Sequence, residues 1–229
     1  MSFESLINRL EICKIPISAQ ITSLKHPKSF LEWVTCCRGK QLILGDFRVL
    51  QPWSLAVIAA LSRREVERNI YPVITDQKAT SRFAHSLGLN EVTGNTDCIG
   101  FPEKGRTVKL HRISKYVEIE SLAEQISILP IIDKEQGGEY IDEVETKETI
   151  KYIIIELLRN VVQHSCDEFG GIVIAQRMDE GEEYVNDKCV QICVVDLGIG
   201  IFESLKTMHP DIRDNNVALE RSIWPSFSG

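Results

Sequence analysis

What most constrains this chain is the stretch 146–201, where a long amphipathic segment is followed by two short β-branched runs and the tail VVDLGIGI. From 146 to 165, Ile150, Ile154, Leu157, Leu158 and Val161 recur at spacings of three and four, which predicts one helix with a single apolar face. At about 100° per residue, Glu156 and Asn160 fall one turn apart on its flank, with His164 a further turn on. A carboxylate and an amide therefore point the same way.

Asp167, Glu168, Gly170 and Gly171 predict a turn, and 172–177 (IVIAQR) predicts a strand. The run 189–196 (CVQICVVD) sets Val190, Ile192 and Val194 on one face and Cys193 and Val195 on the other, as a strand covered on both sides would. It stops at Asp196, Gly198 and Gly200, so a carboxylate stands at the strand's end beside two residues without Cβ, where a ligand can come close to the backbone. An Asp so placed can accept a hydrogen bond from an exocyclic amine such as that of adenine. Asn160 supplies an uncharged oxygen, which suits a Mg²⁺ ion held mainly by phosphates and waters. Glu156 can orient or deprotonate an attacking water or hydroxyl.

At these residues the chain resembles the Bergerat-fold, or histidine-kinase-like, ATPases, the superfamily of DNA gyrase, sensor histidine kinases, anti-sigma-factor kinases and the MutL mismatch-repair proteins. The run 156–165 (ELLRNVVQHS) is similar to that family's N box, and 196–200 (DLGIG) to its first glycine box. The resemblance implies ATP and Mg²⁺ as cofactors. It implies Glu156 as the general base, Asn160 as the Mg²⁺ ligand, Asp196 as the adenine anchor, and Gly198 and Gly200 as further nucleotide-binding positions. In the family a mobile lid and a second glycine box follow, whereas here no glycine cluster comes after Gly200 and the sequence runs out at SIWPSFSG. The expectation is thus an incomplete Bergerat-type α/β sandwich, cut before the lid, in a fragment or the product of a shortened gene. Such a chain would hold nucleotide weakly and turn it over hardly at all.

Upstream, 41–47 (QLILGDF) and 71–76 (YPVITD) predict strands, 52–69 and 78–87 predict helices, and Gly88 is the expected stop of the second helix. Strand, helix, strand, helix implies a parallel α/β layer. Its order, with VITDQKATSRFAHSLGL at the end, resembles a STAS-type domain, the fold of anti-sigma-factor antagonists. Those antagonists carry a phosphorylated serine in an Asp-Ser pair at a helix start. Here the nearest positions are Gln51 and Pro52, with Ser54 two residues on, where a serine ordinarily caps or opens the helix.

Two earlier helices are expected, one carrying Phe3, Leu6, Ile7 and Leu10, the other following Pro27 with Phe30, Leu31 and Val34 turned inward. A loop over 90–105, a strand over 107–114 and a helix within 121–132 that ends before Pro130 complete the pattern. The fold class is therefore α/β, with a STAS-like domain over 1–115 and an ATPase-like domain over 116–229.

A net charge of -7 leaves little basic surface for phosphate backbones, so nucleic acid is not the expected main ligand. The seven cysteines include no CxxC pair and the five histidines no HExxH, which points to reduced thiols in a cytoplasm and away from a zinc site. No leader pattern or long apolar run calls for a membrane. A GxxxxGK[ST] phosphate loop is absent, and Gly198 and Gly200 fail the dinucleotide fingerprint because Glu203 stands where its third glycine would be.

The function expected is an ATP/Mg-binding module that acts as an ATPase or protein kinase within a longer parent. The alternative is a non-catalytic partner-switching module with a degenerate nucleotide site. The expected partners are ATP and another protein, with a homodimer left open.

Overall fold

The structure, a computed structural model, describes residues 51–66, 84–93, 106–129, 143–178 and 189–222. Their elements are α1 (Pro52–Val66), α2 (Leu89–Thr93), β1 (Thr107–Ile113), α3 (Tyr116–Ser127), α4 (Glu143–His164), β2 (Gly171–Met178), β3 (Cys189–Asp196), α5 (Gly200–Met208) and α6 (Asn215–Ser222). The fold is mixed α/β. The helices expected near the N-terminus and the strands expected at 41–47 and 71–76 lie outside the described residues.

Alternation along β2 and β3 sorts their side chains onto two apolar faces. The strands form one antiparallel sheet in the order β1-β2-β3, with Ile172 opposite Val195, Ile174 opposite Cys193, Val173 opposite Val194 and Ala175 opposite Ile192. Ile172, Ile174, Cys193 and Val195 pack with Leu55, Ala56, Ile58 and Ala59 of α1. Val173, Ala175, Ile192 and Val194 pack on the other side with Ile119, Leu122 and Ile126 of α3 and Ile154, Leu158 and Val161 of α4. The sheet is thus covered by helices on both faces, with β2 between its two neighbours and buried along its whole length. Burial pushes the Cys193 thiol up to about 11.

β1 reaches both faces by a shift of register. Val108 pairs with Ala175 and His111 with Val173, so two residues of β1 stand where β2 has one. A bulge of this kind turns the alternation over. Val108 and Ile113 therefore join the α3/α4 side and Leu110 the α1 side. The boundary expected near 115 falls directly after β1, and the sheet takes strands from both sides of it.

α3 begins at Tyr116, five residues before the expected start, because Glu118 Oε2 accepts from the backbone N–H of Ser114 at 3.3 Å and of Lys115 at 3.2 Å. α4 is fastened to α3 by Lys147 and Lys151, both paired to Glu124, with Lys151 also 3.7 Å from Glu120. The bond to Lys147 holds the Glu124 carboxyl below its usual range, and the bond to Glu124 raises Lys151.

Pro52 opens α1, as its fixed φ suits a first helical position. Ser54 Oγ donates to Gln51 O at 2.8 Å and accepts from Gln51 N at 3.0 Å, with the residue wholly buried. It is a first-turn residue built into the core. Gly88 takes φ +87 after the helical residues 84–86, the stop expected there, but the chain re-enters a helix at once as α2, where a loop was expected. Beyond β3, α5 and α6 close on a small cluster of Leu205, Ile212 and Ala218. Among the described residues no helix is long and apolar enough to cross a membrane.

Candidate functional site

Lys147 and Lys151 mark the flank of α4 that faces α3. At about 100° per residue, Ile153, Glu156, Leu157, Asn160 and His164 fall on the opposite flank, roughly 140° to 240° round from Lys151. Ile153 is 49% and Leu157 43% exposed, and Asn160 and His164 are exposed as well. Leu157 was expected on the buried face and instead lies on this outer flank, while Ile155 and Val162 pack against the core. The stripe is narrower than the count of aliphatic residues suggested.

The end of α4 is where the two motifs meet. The helix runs out at His164, and Cys166 takes φ +51, a left-handed turn that the residue after a cap adopts at some steric cost when it carries a Cβ. Ser165 O then accepts from Ile199 N at 2.9 Å. A Cβ on Gly198 would stand 2.0 Å from that same oxygen, and one on Gly171 2.7 Å from Val161 Cγ1. The backbone after β3 is therefore seated directly on the helix's last turn. The lack of a side chain at Gly198, expected to admit a ligand, is used by the protein to admit its own helix.

The intervening turn is fixed from the other side. Asp167 Oδ1 accepts from Phe169 N at 3.0 Å, and Arg112 Nε donates to Phe169 O at 2.7 Å, its guanidinium 5.5 Å from the Phe169 ring centre. Gly170 has φ +71, and a Cβ there would meet Ile113 O at 2.0 Å. Three glycines thus let the ends of β1, β2, β3 and α4 converge.

On this frame Asp196 ends β3, opposite Gly171 in the register, and is exposed. Its Oδ1 accepts from Gly198 N at 2.9 Å, a local turn that fixes the carboxylate's direction, and its other oxygen has no partner among the described residues. Gly200 takes φ +76, has open space where a Cβ would be, and starts α5, whose N-terminus carries no side-chain cap. Ile199 and Ile201 beside it are 45% and 48% exposed. On α4, Glu156 Oε1 accepts from Arg159 Nη1 at 2.9 Å, and Asn160 has no protein partner among the described residues. Arg159 was missed from the sequence, although its place three residues after a glutamate is the ordinary signal for a helical ion pair.

Chemically the region offers one fixed carboxylate with a spare acceptor, one unengaged amide and one carboxylate held by a guanidinium. Among the described residues no three His, Cys, Asp or Glu side chains gather as a metal cage. A lone amide oxygen fits a Mg²⁺ ion that takes most of its ligands from phosphates and water. A groove of about 580 Å³ runs along the far edge of the sheet between β1 and α3, lined by Lys109, His111, Val117 and Glu118, and includes none of these residues. No family model, curated protein or solved structure matches the chain.

Proposed function

We propose that the outer flank of α4 and the end of β3 form a nucleoside-triphosphate site of the histidine-kinase-like ATPase type. The observation that carries this reading is the docking of 196–199 onto the last turn of α4 through Ser165 O and Ile199 N, 2.9 Å apart, which joins two motifs more than thirty residues apart. In this reading the unpartnered oxygen of Asp196 accepts the exocyclic amine of adenine. Gly200, with open space around it, leaves room for the base. Asn160 offers its amide oxygen to Mg²⁺, which when bound would neutralise phosphate charge. Glu156 orients an attacking water or hydroxyl once it is released from Arg159. In a longer parent the module acts as an ATPase or protein kinase.

A second reading has its own observation. Ile153 and Leu157 on α4, and Ile199 and Ile201 after the end of β3, are each between 43% and 49% exposed. Apolar surface of that kind suits a protein that covers it, as a partner-switching module would.

Calorimetric titration with ATP, with and without Mg²⁺, tests the first reading. Asn160→Ala should remove the metal-dependent part of the affinity, and equal binding with and without Mg²⁺ in the unmutated protein would remove the assignment. Phosphate release by the longer parent separates the two readings, since this chain by itself is expected to turn nucleotide over hardly at all. Turnover lost in Glu156→Ala marks an enzyme, whereas binding without turnover marks the switching module.

A further inference from the structure

Between the proposed base and the proposed metal ligand in sequence, and roughly 60° round the helix from Glu156, α4 carries a guanidinium. Resting on the nucleotide reading above, we propose that Arg159 is the phosphate-recognising residue of the site, held by Glu156 until the nucleotide arrives. Three observations converge on it. Arg159 stands next to Asn160 in sequence and one helical turn from Glu156, with its Nη1 2.9 Å from Glu156 Oε1. Both side chains are close to half exposed, at 48% and 43%, so the pair sits in water and yields readily to a stronger anion. The two lysines of α4 are turned away to Glu124 and Glu120 of α3, and Arg112 is committed to the carbonyls of Phe169 and Glu168.

A planar guanidinium donates two parallel hydrogen bonds to a phosphate as well as to a carboxylate. A triphosphate carries more charge than one glutamate, so exchange of partners favours the nucleotide. That exchange does two things at once. It places a cation on the phosphates, and it frees Glu156 Oε1 to accept from water. No bond is made or broken covalently in the step. While paired to Arg159 the proposed base is occupied, and a ligand with phosphates competes it free.

The test compares ATP with adenosine by calorimetry on the whole chain, using Arg159→Gln, Glu156→Gln and the double variant. Arg159→Gln should weaken ATP binding about tenfold, the loss expected for a charge-assisted contact, and leave adenosine binding unchanged. Glu156→Gln should tighten ATP binding, and the tightening should shrink when Arg159→Gln is already present. Thermal melts serve as the folding control, since an exposed pair contributes little to stability. ATP affinity unchanged in Arg159→Gln, with adenosine still bound, overturns the role of Arg159 alone. Equal losses for ATP and adenosine with a lowered melting temperature reduce Arg159 to a structural residue and overturn it too. If the unmutated protein binds neither ligand, the nucleotide reading falls and this inference with it.

Discussion

The two flanks of α4 are built from similar residues and put to opposite uses. Towards α3 and the sheet, Ile154, Leu158 and Val161 are buried, and Lys147 and Lys151 are paired to Glu124. On the outer flank, Ile153 and Leu157 stand half exposed beside Glu156 and Asn160. Adjacent leucines, Leu157 and Leu158, thus differ only in the turn of the helix. The inner flank holds the fold together, and the outer one leaves apolar side chains half exposed.

Truncating the two leucines should expose that difference most strongly. Leu158→Ala, at a position with no exposure, should lose about 2 to 5 kcal/mol in urea unfolding. Leu157→Ala should stay within about 1 kcal/mol of the unmutated protein. Equal losses would mean that the outer flank is packed as the inner one is.

A smaller effect belongs to the seam between the motifs. Gly198→Ala forces a methyl group against Ser165 O and should cost about 1 to 3 kcal/mol, because backbone must shift to relieve the contact. Gly200→Ala has open space for its methyl and differs by its φ of +76 alone, so its cost should be the lesser of the two. If both variants melt alike, the close approach at Ser165 is not what Gly198 is there for.

Cys166→Gly should produce the smallest change and in the other direction. Relief of the left-handed backbone at φ +51 is worth about 1 kcal/mol, partly offset by glycine's freedom in the unfolded chain. A loss of stability would show that the thiol makes contacts worth more than the strain.

Much of this was written locally. The period of three and four placed α4, and β-branched alternation placed β2 and β3. What local pattern could not carry was pairing at a distance. The strand at Thr107–Ile113 was legible, but its antiparallel partnership with β2 across the expected boundary at 115 is a long-range contact with no local mark. The start of α3 was missed because Lys115 is a poor cap, and the stabilising group is Glu118 further along. Spacing alone groups Leu157 with Leu158 and Val161, and only the pairing of Lys147 and Lys151 to Glu124 shows that α3 covers the other side of the helix. The candidate residues follow from the family resemblance, and Arg159 three residues after Glu156 has a local signal, whereas the hydrogen bond between Ser165 and Ile199 that joins the two segments has none.

The most direct test of a nucleotide site at this junction is a calorimetric titration of Mg-ATP into the protein and into Asp196→Asn. Among the described residues Asp196 keeps one carboxylate oxygen without a partner at the end of β3, and an amide nitrogen there would confront the adenine amine with a donor. The account predicts measurable binding that Asp196→Asn weakens by about 1 to 3 kcal/mol, the cost of a mismatched polar contact. An affinity unchanged by the substitution, or no binding to the unmutated protein, would contradict it.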